Sequence, residues 1–423
     1  MTVSARRTIG HTENALFLAS LGLIALHIAD DNFIQPQPGT SATDHAVSGL
    51  VPLAALGLAA WIYPRLRAGA RAAVALVLGI LGIVAGIEAV YYAKNGGLSG
   101  DDFTGLLAIA AGLGLIGLGV VTLWSSRRTN DTRRRRYLRR VLLAVGGLVF
   151  MYLIVLPFSV AYVVTHTARG VVPPPELGAA YEEVEFRTSD GLQLRGWYIP
   201  SSNGAAVIAF PGRKGPQRPA RVLARHGYGV LLFDRRGEGE SDGDPNAFGW
   251  SGTMDLDAAV SFLRGRSDVD PDRIGGIGLS VGGEMMLHAA AESDGFAAIV
   301  SEGAGIRSLR EALTVPGTRK RLEASIAHAV VTPAVAVFSN TLPPPNLEDL
   351  VARISPRPVF FIYAVPGQGG EAELTESFYE AAGDPKQIWL VPESGHTGGI
   401  EAAPEEYERR MVDFFDGALS GAP

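Results

Sequence analysis

One serine stands out for its setting. Ser280 lies in Gly278-Leu279-Ser280-Val281-Gly282, between an apolar run at 274–279 that reads as a buried strand and a run at 284–292 that reads as a helix. A serine on a sharp strand-to-helix turn presents its hydroxyl above a sheet, and G-x-S-x-G in that context is a nucleophile elbow. Gly278 and Gly282 carry no side chain, so strand and helix can close on each other. The N–H of Val281, at a helix N-terminus, then points toward Ser280 Oγ, where a developing oxyanion would be stabilised. A glycine-rich turn without chemistry would leave the same pentapeptide in a chain with 52 glycines. The rest of the chain has to decide between the two.

Other polar groups are candidates for different chemistry. His27, Asp30, Asp31, Asp44 and His45 fall close together, and metal ligation is conceivable there. A solvated helix end with an acidic loop is the reading favoured for them. Glu88 sits within an apolar stretch, near its end, where a carboxylate is costly unless it reaches water or serves a function. Cysteine is absent, which excludes disulfides, thiolate metal sites and a cysteine nucleophile. A net charge of −6 gives no reason to expect nucleic acid as a partner.

The elements that must position Ser280 occupy only the second part of the chain. The mean hydropathy of +0.18 is an average over two unlike parts, with the apolar excess before about residue 165. Residues 1–168 read as an all-α transmembrane domain with spans at 14–29, 46–63, 72–92, 103–124 and 141–165. The last four have the length needed to cross ~30 Å of hydrocarbon, and the first is a little short. No cleavable signal peptide is evident, and the first run could act as an uncleaved anchor. Arg6 and Arg7, then Arg65, Arg67 and Arg71, then eight arginines between Arg127 and Arg140 all fall on one side of this scheme. The other side holds Lys94 and several aspartates. Arginine-rich loops stay on the cytoplasmic side. The expectation is a multi-pass protein of the cell membrane, with a cytoplasmic N-terminus and everything after Thr165 on the extracytoplasmic side.

Residues 169–180 form a Pro-rich linker, and from Tyr181 the pattern changes. Runs at 182–188 and 192–200 alternate as antiparallel strands around Ser189-Asp190-Gly191. Apolar runs at 205–210, 229–233, 274–279, 297–301, 358–364 and 387–391 then alternate with helical stretches at 219–226, 254–263, 284–292, 375–382 and 405–419. That alternation predicts an α/β fold, a doubly wound, mostly parallel sheet that binds ligands at the strand carboxyl ends. The stretch 306–355 interrupts it with an amphipathic segment, an apolar segment at 326–338, and Pro343-Pro344-Pro345.

Residues 181–423 resemble the α/β-hydrolase superfamily. Four features carry the resemblance in family order: Phe210-Pro-Gly-Arg213, Asp234-x-Arg-Gly-x-Gly-x-Ser241, Gly278-x-Ser-x-Gly282 and Ser394-Gly-His-Thr397. The resemblance implies that Ser280 is the nucleophile and His396 the general base. It implies oxyanion donors in the backbone N–H groups of Val281 and Arg213, and a helical cap at about 306–355. His226, His288 and His328 are read as surface, packing or insert residues. The family's usual aspartate is missing from the turn at 365–374, which leaves Glu371 as the acid, with Glu373 and Glu302 as alternatives. The Arg213 side chain could favour an anionic group on a substrate, although a solvated charge is the commoner outcome. Asp234, Arg236, Gly237 and Gly239 read as loop-holding residues.

The function so implied is a membrane-anchored serine hydrolase that cleaves an ester, thioester or amide through an acyl-enzyme, with no cofactor and no metal. Its partner would be a small-molecule acyl substrate, and a lipid-like one suits the membrane setting. The alternative is a non-catalytic membrane protein that uses a hydrolase-fold module for binding.

Overall fold

Short apolar runs that are buried on both faces can only be strands in the middle of a sheet covered on both sides. A computed structural model describes residues 3–95, 97–98, 100–125, 133–215, 217–365, 367 and 370–420. Arg127 and Arg128 of the arginine-rich loop, and Pro366, Gln368 and Gly369 of the turn before Glu371, lie outside the described residues. The chain divides into two compact units. One comprises Met1–Ala168 with Ala329–Thr341, and the other Arg169–His328 with Leu342–Pro423.

The second unit is built on eight strands: β1 Glu182–Arg187, β2 Gln193–Ile199, β3 Ala206–Phe210, β4 Gly229–Phe233, β5 Ile274–Leu279, β6 Ala298–Glu302, β7 Val359–Ala364 and β8 Lys386–Val391. Their order across the sheet is β1-β2-β4-β3-β5-β6-β7-β8. β1 and β2 pair antiparallel, β2 meets β4 antiparallel, and all later pairs are parallel. Strand alternation sorts the side chains onto two cores. Ala206, Ile208 and Phe210 face helices Gly252–Arg264, Val281–Glu292 and Glu371–Ala381. Val207 and Ala209 face helices Arg218–Arg225 and Pro404–Leu419. This is the α/β-hydrolase fold expected from the sequence.

The segment 169–180 is packed onto this unit. Leu177 is buried in its core, and the Arg169 guanidinium donates to the Gly243 carbonyl at 2.8 Å. The loop after β4 is held by charge. Arg236 donates to Asp255, which is fully buried, at 2.8 Å and to Asp190 at 2.9 Å.

The first unit is all helix. Its helices include Val3–Ala29, Ala46–Ile62, Ala68–Ala85, Gly100–Ser125 and Arg133–Phe150, the last running on through Thr165. Helix Ala68–Ala85 lies directly against Gly100–Ser125. A Cβ added at Gly112 would come within 2.5 Å of the Gly79 carbonyl, so the two backbones meet where neither carries a side chain. Among the described residues, six helices are long and apolar enough to cross a membrane: His11–Ile34, Ala46–Arg65, Ala68–Asn95, Asp102–Ser125, Tyr137–Thr165 and Thr318–Phe338. The first is longer than its apolar core suggested, and the sixth lies in the stretch read as a cap.

That sixth helix begins in the hydrolase unit, but its residues from Ala329 onward belong to the first unit. Apolar residues expected to cover an acyl pocket are thus gathered with the helices of the first unit. The helix is also the one candidate that cannot make a crossing. β6 before it and β7 after it are hydrogen-bonded neighbours, Ile299 against Val359, so both ends of the excursion lie on one side.

Arg236→Met strands the buried Asp255 carboxylate, and the unfolding free energy of the second unit should fall by about 3 kcal/mol. Pairing it with Asp255→Leu should recover part of that loss. Denaturant titrations of tryptophan fluorescence on the full chain measure both. A single variant as stable as the parent would show that this pair does not hold the loop.

Candidate functional site

Ser280 occupies the corner between β5, which ends at Leu279, and helix Val281–Glu292. Its φ is 54° and its ψ −125°, a region in which a residue with a side chain is strained. The surroundings hold it there. Ser280 N–H donates to Glu302 O at 2.7 Å, and the N–H groups of Gly283 and Glu284 donate to Ser280 O at 2.8 and 3.2 Å. A Cβ at Gly278 would lie 2.2 Å from Gly282 O, so the turn closes this tightly only with glycine at that position.

The loop after β8 carries His396. Its Nε2 lies 2.8 Å from Ser280 Oγ, and its Nδ1 lies 2.7 Å from Glu371 Oε2. An ionised carboxylate only accepts, so Nδ1 carries the proton and Nε2 is left to accept from the serine hydroxyl. Glu371 opens helix Glu371–Ala381, four residues ahead of the start expected from the sequence. It is 1% exposed, and its other oxygen accepts the Ala364 N–H at 2.9 Å. The strand end and the helix start together fix this carboxylate.

Glu371 is the only one of the three candidate acids that bonds His396. Glu373 is ion-paired with Lys320. Glu302 accepts from Gly399 N–H at 3.0 Å and from Tyr407 OH at 2.7 Å. Val281 is the first helical residue after Ser280, where N–H groups have no carbonyl partner within the helix. Arg213 follows β3 and Pro211-Gly212, with its backbone at the carboxyl end of the sheet. Its side chain corrects the sequence reading. It is neither solvated nor free for a substrate, being buried against Asp234 at 2.6 Å and paired with Glu240 at 3.0 Å. His226 pairs with Glu408 at the surface, His288 with Glu292, and His328 Nδ1 lies 2.9 Å from the Ala324 carbonyl of its own helix.

The cluster near the first span also differs from expectation. His27 and Asp30 are buried rather than solvated, because the helix continues through a π turn, Asp30–Ile34, that buries Asp30 and Asn32; His45, just before helix Ala46–Ile62, is buried as well, while Asp44 is exposed as expected. Among the described residues no group of His, Asp or Glu has the arrangement to hold a metal ion.

With this geometry in place, the chain can be compared with known proteins. A family model described as X-Pro dipeptidyl-peptidase (S15 family) matches residues 166–335, less than half of the chain. The chain is 28% identical over 254 residues to the protein YfhR of Escherichia coli, covering 56% of this chain and 82% of that one. It is 31% identical over 227 residues to a protein of Mycobacterium tuberculosis, covering 51% of this chain and 73% of that one. Among solved structures, an esterase of Pyrococcus furiosus superposes with a TM-score of 0.49 at 25% identity, covering 61% of this chain and 99% of that one.

Electrostatically the site is acidic. The hydrogen bond that His396 donates to Glu371 holds the imidazole above its ordinary value against the opposing effect of burial, and Glu284 and Glu302 add to the rise. Glu284 was not singled out in the sequence. It lies one helical turn after Ser280, is 7% exposed, and accepts the Gly305 N–H at 2.9 Å. The signal was present as one carboxylate in the apolar run Gly-Gly-Glu-Met-Met-Leu. Burial pushes Glu284 from 4.5 up to about 7. A carboxyl raised in this way stabilises the fold while protonated. That contribution is fully present below 4.5 and is lost as pH rises through about 7. Replacing it by Glu284→Gln should therefore raise the thermal midpoint at pH 8 but not at pH 4. A difference between variant and parent that stays constant with pH would show that folding does not shift the titration of Glu284.

Proposed function

The chain belongs to the α/β-hydrolase superfamily, and we propose that it is a membrane-anchored serine hydrolase acting on ester, thioester or amide bonds. The observation that carries this reading is the unbroken line of hydrogen bonds from Glu371 through His396 to Ser280 Oγ. In the forward step His396 Nε2 takes the Ser280 proton as Oγ bonds to the acyl carbon. The carbonyl oxygen becomes an oxyanion, held by the N–H groups of Val281 and Arg213. Each such donor is worth about 10²–10³ in rate. The intermediate collapses, the bond to the leaving group breaks, and that group takes the proton from His396. Water then repeats the sequence on the acyl-enzyme, releasing a carboxylic acid and restoring Ser280.

Glu371 would keep Nδ1 protonated and stabilise the imidazolium that forms. A buried glutamate bonded to His396 takes the place of the missing aspartate, which supports catalysis over the alternative of a binding module. Because the imidazole is held above its ordinary 6.5, the neutral base is populated only at higher pH. Activity should rise with pH through a limb above that value.

A fluorophosphonate probe should label the full-length protein in its membranes, with labelling lost in Ser280→Ala and in His396→Ala. Glu371→Gln should lower kcat about 10³-fold or more and shift the acidic limb downward, while Glu373→Gln should leave both nearly unchanged. Folded parent protein that does not label would overturn the reading.

The orientation proposed for it has the N-terminus in the cytoplasm and the hydrolase unit on the opposite side. The arginine-rich loops support this, and an odd number of crossings before Arg169 agrees with it. The chain has no cysteine, so single introduced thiols report directly. A membrane-impermeant maleimide should label Glu401→Cys in intact cells and Arg67→Cys only after permeabilisation. The reverse pattern would invert the topology.

A further inference from the structure

The first unit contains an apolar chamber of about 540 Å³, walled by residues of four of its helices and by the segment from Ala329 to Phe338. Every residue lining it belongs to that unit. Its size is within the range of about 300–1,000 Å³ usual for small-molecule sites, which in helical bundles lie between helices. Ile24, Val51, Leu81, Val84, Val330 and Val337 are typical of its wall. A chamber of this lining does not hold water, because water needs two to four polar partners.

One end of the chamber is different. Ala85 and Tyr162 belong to the wall, and both also belong to a polar group. The Ala85 carbonyl is bonded by His27 Nε2 at 3.0 Å and by the Tyr162 hydroxyl at 3.4 Å. The Tyr162 ring stacks on His166 at 3.9 Å, and His166 Nε2 lies 3.8 Å from Asp31. On the other side of His27, Thr104 links Nδ1 to Asp30 at 3.2 and 2.8 Å. The wall is thus apolar along its length, Tyr162 is the one polar side chain in it, and the imidazole and carboxylate groups lie behind Tyr162 and Ala85 rather than in the wall.

The helices around it are long and apolar enough to cross a bilayer, so the medium that borders the chamber is hydrocarbon. The segment 329–338 is held in the wall by Phe338, whose ring meets Phe158 at 5.0 Å and Tyr162 at 5.3 Å. It does not cross the membrane, so its apolar residues are not there to span it. They complete a wall.

We propose that this chamber binds the acyl chain of a bilayer lipid, with the polar end of the lipid toward Tyr162, the one polar side chain of the wall. The proposal rests on the first unit being embedded in a membrane and is independent of the chemistry at Ser280.

The test is photo-crosslinking of the full-length protein in its own membranes with a long-chain fatty acid carrying a diazirine and a terminal alkyne, followed by peptide mapping. Crosslinks should concentrate on the peptides holding 329–338 and Tyr162, and excess unlabelled fatty acid should abolish them. Leu113 and Leu142 face outward and serve as the lipid-contact background, which should not saturate. Ala55→Trp fills the chamber from an exposed wall position and should reduce the specific crosslinks at least about fivefold. Labelling at 329–338 that matches the background, or that does not saturate in the parent protein, would overturn the proposal. Release of the protein by an alkaline wash would instead overturn the membrane reading on which it rests.

Discussion

The parallel register of β3, β5, β6, β7 and β8 is the constraint on which the rest depends. Parallel neighbours finish at the same edge of a sheet, so whatever follows each strand is delivered to one rim. Ser280 follows β5, Glu302 ends β6, Glu371 follows β7 and His396 follows β8. His396 and Ser280 are 116 residues apart in the chain and 2.8 Å apart in space for this reason. The corner at Ser280 adds a local demand, since its backbone is tolerated only while Glu302 O and the following helix turn hold it. The glycines beside it are the means by which strand and helix come close enough to do so.

Charge does the remaining positioning. Arg213 is tied to Asp234, Arg236 to Asp255, and Arg307 to Glu311, each with at least one partner buried. These pairs anchor the loops after β3, β4 and β6 where no regular hydrogen-bond ladder runs. A buried pair is a weak source of net stability, yet removing one partner is costly. Such loops are therefore rigid in the directions that matter to the site. Glu284 is the exception, a buried carboxyl bonded by Gly305 N–H, and once ionised it adds negative field next to His396.

Much of this was legible before any coordinates. The strands showed because burial on both faces forbids polar residues, and Ser280 and His396 showed because each sits in a short motif at a strand end. The carboxylate that bonds His396 was harder. Glu371, Glu373 and Glu302 are equivalent as types, and choosing among them needs the helix start at Glu371, which lies next to a turn with no strong cap residue. Arg213 was misjudged because its partner, Asp234, is on another strand end. The burial of His27 and Asp30 was missed for the same kind of reason. Their partners, Ala85 and Thr104, are contributed by other helices, and no local periodicity records that. The stretch 306–355 was recognised as an interruption of the sheet, but nothing in its composition divides it at residue 329.

On the proposed reading of the first unit as embedded in a membrane, that division has a consequence for how the chain is made. The insertion machinery reads hydrophobic segments one at a time as they emerge, and Thr318–Phe338 is apolar enough to be read as a stop. Its hydropathy of 1.3 is nevertheless the lowest of the six, against 2.5 for Ala68–Asn95 and Tyr137–Thr165. Arg319, Lys320 and Arg321 stand at its start and Pro333 within it. If it were left across the bilayer, β7 and β8 would be stranded from β1 to β6 on opposite faces of the membrane, and the sheet could never close. The sequence of this helix is thus bounded from both sides: apolar enough to settle among the spans, and not so apolar that biosynthesis commits it to becoming one.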